Sequence, residues 1–381
     1  MLILVINCGS SSAKYDLFDV DKESSLSRGI VERIGEDASI LTHECTGRDK
    51  LEEKLKCPDH HTAISIIKDT LIDPEKGVLS SVEEVTGVGH RVVHGGEEFN
   101  TSTLIDEKVI KEIEKFSILA PLHNPPSLEG IKGCREIFKG VPQVAVFDTA
   151  FHQSMTEEVF CYGLPYEFYE KYGIRRYGFH GTSHRYVSQK AAEVLKKSLE
   201  EINVITVHLG NGCSIACVSG GKSIDTSMGF TPLEGLLMGT RSGDLDPAVV
   251  TFLMQRERLS VEEVNDLLNK KSGLLGVSGV SNDMRDILKA MDEGNKRAKL
   301  AYDIFVYRIK KYIGSYAAVL GRVDAVVFTA GIGEHVPRIK DEVKKQLSEL
   351  VGDKTEFLTI STNEELLIAK DTHHIVSMNA A

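Results

Sequence analysis

Tryptophan is absent from the 381 residues, and that absence excludes nothing. The other shortages say more. No apolar run approaches the roughly 20 residues that a helix needs to cross a bilayer. Met1 to Ile6 is apolar but short and lacks a basic leader, so it reads as a buried strand and not as a signal peptide. Seven cysteines occur without a CxxC pair, which argues against a disulfide framework and a zinc site and for a reducing, cytoplasmic setting. Cations are in deficit: 45 Lys and Arg against 56 Asp and Glu leave a net charge of −11. Such a chain repels nucleic acid and anionic membranes at long range, so neither is expected as a partner. An acidic protein that binds an anion must concentrate its cations locally, which directs attention to arginines set among glycines.

What is present is the composition of a globular protein, 41% hydrophobic and 27% charged. The length exceeds one ordinary core, so two domains are expected. The richest stretch runs from Ile205 to Asp246. A β-branched run is followed by a Gly210-Asn211-Gly212 turn, a second run from Ser214 to Val218, and a Gly220-Gly221 turn, the grammar of a hairpin. Glycine and hydroxyl residues then gather around Arg241. This suggests backbone amides aimed at an anion, although a hairpin followed by a plain surface loop has the same look. Leu2 to Ile6, the small-polar turn Asn7 to Ser12, Lys14 and the alternating Tyr15 to Phe18 repeat that grammar near the start of the chain. Two copies suggest a duplication into two similar lobes, with a phosphate chain gripped between the two turns and Lys14 supplying point charge.

Further along, 58–71 and 103–119 carry helical spacing, and 85–93 reads as a strand with Arg91 inside it. That arginine either pairs with a buried carboxylate or points into a cleft at the strand's carboxyl end. The proline-rich 119–126 is expected to be irregular, with a short helix over 128–138. Gln143 to Phe147 reads as a strand ending in Asp148, which either caps the next helix or faces Arg91. His180, between Phe179 and Gly181, is a functional candidate or a packing histidine. Helices are expected over 188–199, 247–255, 261–269 and 296–320, with a loop over 274–286 containing Asp283 and Arg285. A strand over 325–329 leads into a glycine turn at Gly331 to Glu334 that can hold a nucleotide against a helix start. A strand over 357–360 follows, and Thr362 with Glu365 has the spacing of a capping box.

The motifs INCGSSSAKY, GHRVVHGGEEF, APLHNPPSLEGI, VAVFDTAFHQ, YGFHGTSHRYV, HLGNGCSIA, SMGFTPLEGLLMGTRSGDLDP and FTAGIGE together resemble the acetate kinase family. The resemblance runs from Met1 to about Asp371. It implies an α/β, duplicated, two-lobed actin-like (ribonuclease H-like) fold of the sugar-kinase/actin/Hsp70-like superfamily, with a nucleotide cleft between the lobes. The lobes would be 1–150, completed by a C-terminal helix over 366–381, and 151–365, holding the nucleotide site and a homodimer interface. The implied reaction is reversible phosphoryl transfer from ATP to acetate, giving acetyl phosphate and ADP, with Mg²⁺ (or Mn²⁺) as cofactor.

By the same resemblance Arg91, Asp148, His180 and Arg241 would be the catalytic group. Val93, Leu122, Phe179 and Pro232 would line the acyl pocket. Ser10, Ser12, Lys14, His208, Gly210, Asn211 and Gly212 would contact the phosphates. Asp283, Arg285, Gly331, Ile332, Gly333, Glu334 and His335 would border the adenosine, and Asn7 and Glu364 would associate with the metal. His335 stands where the family usually has asparagine, and 337–357 is shorter than in typical members. Both departures bear on nucleotide choice. Acetate has a pKa near that of a glutamate side chain, about 4.3, and is already ionised at pH 7. No general base is needed, so Asp148 is expected to stay anionic and orient an arginine or a metal-bound water. Cations around a loose, in-line transition state would carry the catalysis. A phosphoenzyme through Glu364 is the competing route. Alternatives are a propionate or other short-chain acyl kinase, a pyrophosphate-linked variant, and a non-catalytic actin-like nucleotide switch.

Overall fold

The computed structural model describes residues 1–121 and 123–380, so Leu122 lies outside the described residues. The chain opens with β1 (Leu2–Gly9), β2 (Ser12–Asp19), β3 (Ser24–Glu32), β4 (Ser39–Cys45) and β5 (Leu51–Leu55), each antiparallel to its predecessor. β4 buries every second residue, the mark of a strand with one wet face, whereas β1 is buried nearly throughout. Next come α1 (His60–Leu71), β6 (Val85–Val92), β7 (Thr103–Leu104), α2 (Glu107–Lys115), α3 (Asn124–Ile137) and β8 (Gln143–Phe147). β6 lies parallel to β1 and β8 parallel to β6.

The second stretch holds α4 (Glu157–Phe160), α5 (Glu167–Tyr172), α6 (Gly181–Leu195), β9 (Asn203–Leu209), β10 (Cys213–Ser219) and β11 (Lys222–Thr226). It continues through α7 (Pro247–Glu257), α8 (Val261–Lys270), α9 (Gly273–Ser278), α10 (Met284–Asp292), α11 (Lys296–Leu320), β12 (Ala325–Thr329), α12 (Ala330–His335), α13 (Pro337–Val351) and β13 (Glu356–Thr359). α14 (Glu364–Ala380) ends the described chain. Two compact units result: Met1–Phe151 with Asn363–Ala381, and His152–Thr362.

Among the described residues each unit has one sheet, ordered β5-β4-β3-β2-β1-β6-β8-β7 in the first and β11-β10-β9-β12-β13 in the second. The central strand of each, β1 or β9, pairs antiparallel with the strand that follows it and parallel with a later one. In the first unit Leu4, Ile6, Leu17 and Val88 pack with Ile64, Ile67 and Leu71 of α1. α14 packs against β6, β1 and β8. Gly89 permits this approach, because a Cβ there would lie 2.4 Å from Thr372 Oγ1 and 2.7 Å from an Ile368 methyl. In the second unit β9, β10 and β12 are almost wholly buried, and α11, which buries Phe305, Val306, Ile309 and Ile313, packs against β10 and β9.

Several local expectations need correction. β1 extends through Asn7 to Gly9, so the first turn is shorter than 7–12. Residues 103–104 are a strand, and the helix begins at Glu107 behind the Asp106 cap. α3 starts at Asn124 and takes Pro125 and Pro126 into its first turn, where the missing N–H groups have no helical partner to lose. The expected loop over 274–286 contains most of α9 and the start of α10. α6 begins at Gly181, seven residues before 188. The cap of α14 is Asn363, whose Oδ1 accepts from the Leu366 N–H at 2.9 Å, while the Thr362 hydroxyl accepts from Ser183. The Thr362–Glu365 capping box therefore does not form.

Candidate active site

In the first unit, candidate residues collect at the carboxyl ends of the parallel strands β1, β6 and β8, where open α/β sheets gather ligands. Arg91 is the penultimate residue of β6, and Asp148 directly follows β8. Their side chains make a bidentate pair, Nε to Oδ1 at 3.0 Å and Nη2 to Oδ2 at 2.7 Å. The Asp148 side chain is 2% exposed and that of Arg91 25%. The carboxylate raises the pKa of the guanidinium above its ordinary value, against the effect of burial. The pair thus resolves both open readings: Arg91 has a buried carboxylate partner, and Asp148 faces Arg91 and does not cap a helix.

Glu364 stands in the first turn of α14, and its Oε2 is sealed from solvent without a hydrogen-bond partner among the described residues. Burial pushes its carboxyl well up from the ordinary range; Arg91 and Lys14 oppose this, and Asp148 and Glu365 add to it. Lys14, exposed on β2, lies directly across the ladder from half-buried Asn7 on β1. Ser10 is exposed in the hairpin turn, and Ser12 opens β2. The first unit thus brings together Asn7, Lys14, Arg91, Asp148 and Glu364. Val93 is half-buried just past β6.

In the second unit the same kind of hairpin carries a different chemistry. Thr206 and His208 on β9 sit across from Ala216 and Ser214 on β10, so the four share one face. α6 packs against β9 and brings His180, Ser183 and His184 from its first turn. His180 occupies the N-cap position with φ 56°, a left-handed conformation unusual for a non-glycine residue and one that clusters at functional sites. Its Nδ1 lies 2.9 Å from Ser214 Oγ. His184 Nε2 lies 2.7 Å from the same oxygen, and its Nδ1 is 2.7 Å from Thr206 Oγ1. His208 Nδ1 meets Ser183 Oγ at 2.8 Å, and the His180 and His208 rings stack at 4.2 Å.

Arg241 closes on the hairpin tip. A Cβ on Gly212 would lie 3.3 Å from His180 Cε1, 3.4 Å from His180 Nε2 and 3.5 Å from Arg241 Nη1, so glycine leaves room where these groups converge. Among the described residues Arg241 has no carboxylate partner. Its Nη1 donates to the Pro232 carbonyl at 3.4 Å, and burial lowers its pKa. Phe179 is buried and Pro232 half-buried.

A cavity of about 340 Å³ in this unit is lined by Gly210, Asn211, Asn282, Asp283, Met284, Arg285, Gly331, Ile332, His335 and Val336. Seven of these were expected from the sequence; Asn282, Met284 and Val336 were not. Gly333 and Glu334 are not among the lining residues. Gly333 is buried, and Glu334 Oε1 accepts from the Ala330 and Thr362 N–H groups at 2.9 and 3.4 Å. Asp283 caps α10 and pairs with Arg285 Nη2 at 2.6 Å. Thr206, Ser183, His184 and Ser214 were also missed. The spacing of Thr206 to His208 on β9, i to i+2, and of His180 to His184 at the start of α6, i to i+4, carries a signal only once the two faces are known to meet.

Among the described residues no group of three or more His, Cys, Asp or Glu side chains is arranged to hold a metal ion, and no helix is long and apolar enough to cross a membrane. A partnerless, buried carboxylate oxygen beside a second carboxylate is nevertheless what a hard cation satisfies. Mg²⁺ is commonly held by one or two carboxylates together with waters and substrate phosphates.

Comparison with known proteins identifies the family. Residues 2–379 match the model of the acetokinase family. The chain is 54% identical to the acetate kinase of Halothermothrix orenii, over 99% of this chain and 100% of that protein. The crystal structure of Porphyromonas gingivalis acetate kinase superposes with a TM-score of 0.95 at 45% identity, covering 98% of this chain and 99% of that one. A propionate kinase from Francisella tularensis follows at a TM-score of 0.91 and 42% identity, with the same coverage. The fold is thus the duplicated, actin-like α/β architecture of those enzymes, and this chain belongs to the acetokinase family.

Proposed function

We propose that this protein is an acetate kinase, an ATP-dependent phosphotransferase with a carboxylate as acceptor. The observation that carries the reading is the full-length match to the acetokinase family together with named acetate kinases at 52–54% identity. In the reaction an acetate oxygen attacks the γ-phosphorus of ATP, a new P–O bond forms, the bond to the bridging oxygen breaks, and ADP leaves with that oxygen.

The obstacle is electrostatic, since an anion must approach an anion. Arg91, locked in plane by Asp148, offers a fixed fork suited to a carboxylate or phosphoryl group. Asp148 needs no proton for this role; it orients the guanidinium. Arg241 and His180 supply donors to the transferred group, and His208 with Gly210, Asn211 and Gly212 receives phosphate oxygens. Asn7, Ser10, Ser12 and Lys14 form the corresponding phosphate and metal set of the first unit. The cavity from Gly210 to Val336 is assigned to the adenosine. Val93, Leu122, Phe179 and Pro232 are assigned to the acyl group.

Mg²⁺ would be held by Glu364, with Asn7 and Asp148 nearby; when bound it neutralises phosphate charge. The partnerless Oε2 of Glu364 supports that assignment. Assembly as a homodimer through the second unit and a cytoplasmic setting complete the reading. For the dimer, the support is that α7 buries none of its residues and exposes Val249 and Phe252.

Trapping the product with hydroxylamine tests the activity. ATP, Mg²⁺ and acetate must give acetohydroxamate, and a protein that yields none with acetate or propionate is not an acyl kinase. Propionate is expected as the poorer substrate, since one methylene shifts discrimination by roughly 1–3 kcal/mol; the reverse order of kcat/KM would make it a propionate kinase. Omitting ATP in favour of pyrophosphate is expected to abolish the product.

A further inference from the structure

Behind His180 runs a buried chain of hydrogen bonds: Thr206 Oγ1, His184, Ser214 Oγ, then His180 Nδ1, with separations of 2.7, 2.7 and 2.9 Å. Thr206, His184 and Ser214 are all fully buried. Each link has one proton to give, so the chain can point in one of two directions. Pointing inward, His180 donates from Nδ1 to Ser214, Ser214 to His184 Nε2, and His184 Nδ1 to Thr206. The Thr206 hydroxyl proton is then left with the Ala216 carbonyl at 3.5 Å, a poor bond in a place without water. Pointing outward, Thr206 donates to His184 Nδ1, His184 Nε2 to Ser214, and Ser214 to His180 Nδ1. Every proton of the three buried groups then sits in a bond of 2.9 Å or less.

Charge bears on the ring itself and keeps it neutral whichever way the chain points. His180 is stacked at 4.2 Å on His208, and its Nε2 edge and Arg241 Nη1 converge on Gly212. A protonated His180 would add a like charge to a crowded, half-buried cationic corner. Burial also keeps His184 neutral, with His152 and His208 contributing in the same sense, so the chain can relay direction without carrying charge.

We propose that Thr206, His184 and Ser214 are positioning residues that hold His180 as its neutral Nε2–H tautomer, aiming a donor at the phosphoryl group in flight. This rests on the assignment of His180 to that group. The chain delivers no proton; it fixes which nitrogen carries one, and polarised hydroxyl–imidazole chains strengthen their terminal donor. His180 then donates across the whole range in which it remains neutral, and its donor does not depend on protonating the ring.

The test separates the chain from the reaction. In uniformly ¹⁵N-labelled free protein at pH 8, long-range ¹H–¹⁵N correlation should show His180 with a pyridine-type Nδ1 and a pyrrole-type Nε2, assigned by the loss of its signals in His180→Gln. Ser214→Ala is expected to mix the two nitrogen types and to lower kcat by about 10- to 100-fold, by analogy with the loss of the partner that orients a metal-bound histidine. KM for acetate and ATP should stay within about twofold. Thr206→Val, which keeps the packing volume, should shift the His180 nitrogens and cost kcat several-fold, and Thr206→Ser should restore both. A pyrrole-type Nδ1 in the unaltered protein overturns the proposal. So does a folded Ser214→Ala or Thr206→Val protein with unchanged kcat and unchanged His180 nitrogens. If the unaltered protein makes no acyl phosphate, the functional reading fails, and the spectrum still decides the direction of the chain.

Discussion

Arg91 and Arg241 both stand beside a hairpin of the same design, yet they end in opposite electrostatic settings. Arg91 is the cation of a closed pair: Asp148 takes two of its donors, holds its plane and raises its pKa. Arg241 is buried without a carboxylate among the described residues, and burial lowers its pKa. The surroundings follow suit. The first unit sets carboxylates around its arginine, Asp148, Glu364 and Glu365, and so has a surplus of negative charge for a cation to satisfy. The second unit surrounds its arginine with imidazoles, hydroxyls and glycines, and so offers uncommitted positive charge to an anion. Two sheets of similar design thus carry opposite electrostatic surroundings, and the proposed function assigns the cation to the first and the phosphates to the second.

The division is broken most severely at Arg241. Arg241→Ala is expected to lower kcat by about 10²–10³, the usual consequence of losing one preorganised donor to a transition state. Its melting temperature should hold or rise, because the variant no longer buries an unpaired cation. Stopped-turnover assays beside thermal melts check this, and ATP affinity by calorimetry should change little. Arg91→Ala is expected to behave differently. It strands Asp148 in the interior and should destabilise the protein by about 3 kcal/mol, the cost of removing one member of a buried pair. Arg91→Ala with Asp148→Asn should recover much of that stability without recovering activity. Equal melting behaviour in Arg91→Ala and Arg241→Ala would erase the proposed distinction.

The same contrast explains how much could be read from the chain. Arg91 and Asp148 were legible because each is a charged residue at the end of a β-branched run, where a buried charge must find a partner. Strands and the long helix α11 followed from periodicity, with α11 and β12 matching their expected limits. Helix starts were less legible. Pro125 and Pro126 look like breakers, yet they occupy the one part of a helix that tolerates them. The Gly- and Ser-rich sequence over 274–286 hid α9 and the start of α10; α9 docks on α11 despite the poor intrinsic propensity of its glycines. Thr362 and Glu365 had the spacing of a cap, but Asn363 took the role once Thr362 was engaged by Ser183. The buried chain from Thr206 to His180 was the least legible, because it depends on which face of β9 and β10 meets α6.

A smaller effect concerns how firmly the cation-handling side is held. Glu364 begins α14 directly after the Asn363 cap. Asn363→Ala should cost about 1 kcal/mol of stability through the lost cap. It should also weaken the Mg²⁺ requirement curve by a few-fold, because the first turn that orients Glu364 frays. Titration of activity with Mg²⁺ separates this from Arg241→Ala, in which the Mg²⁺ dependence should not move.

Asp16 tests whether the first unit carries excess negative charge. Asp16 lies on β2, and burial pushes its carboxyl up to about 7; the Ser25 hydroxyl opposes this, Glu365 reinforces it, and Arg28 opposes it. The ordinary value is 3.8, so between that pH and about 7 the folded protein holds a proton that the unfolded chain has released. Unfolding then releases a proton, and stability falls as pH rises through this window, levelling off above it. Asp16→Asn removes the titration and keeps a side chain able to accept from Ser25. The difference in melting temperature between Asp16→Asn and the unaltered protein should be near zero at pH 4, grow in favour of the variant to pH 7, and stay constant at pH 8. Taking the difference cancels the titrating groups that do not interact with Asp16, including the buried histidines His90 and His94, whose depressed pKa values act in the opposite sense. A difference that is flat from pH 4 to pH 8 would mean that Arg28 already balances Asp16, and that the negative surplus of this unit is confined to the carboxylates around Arg91.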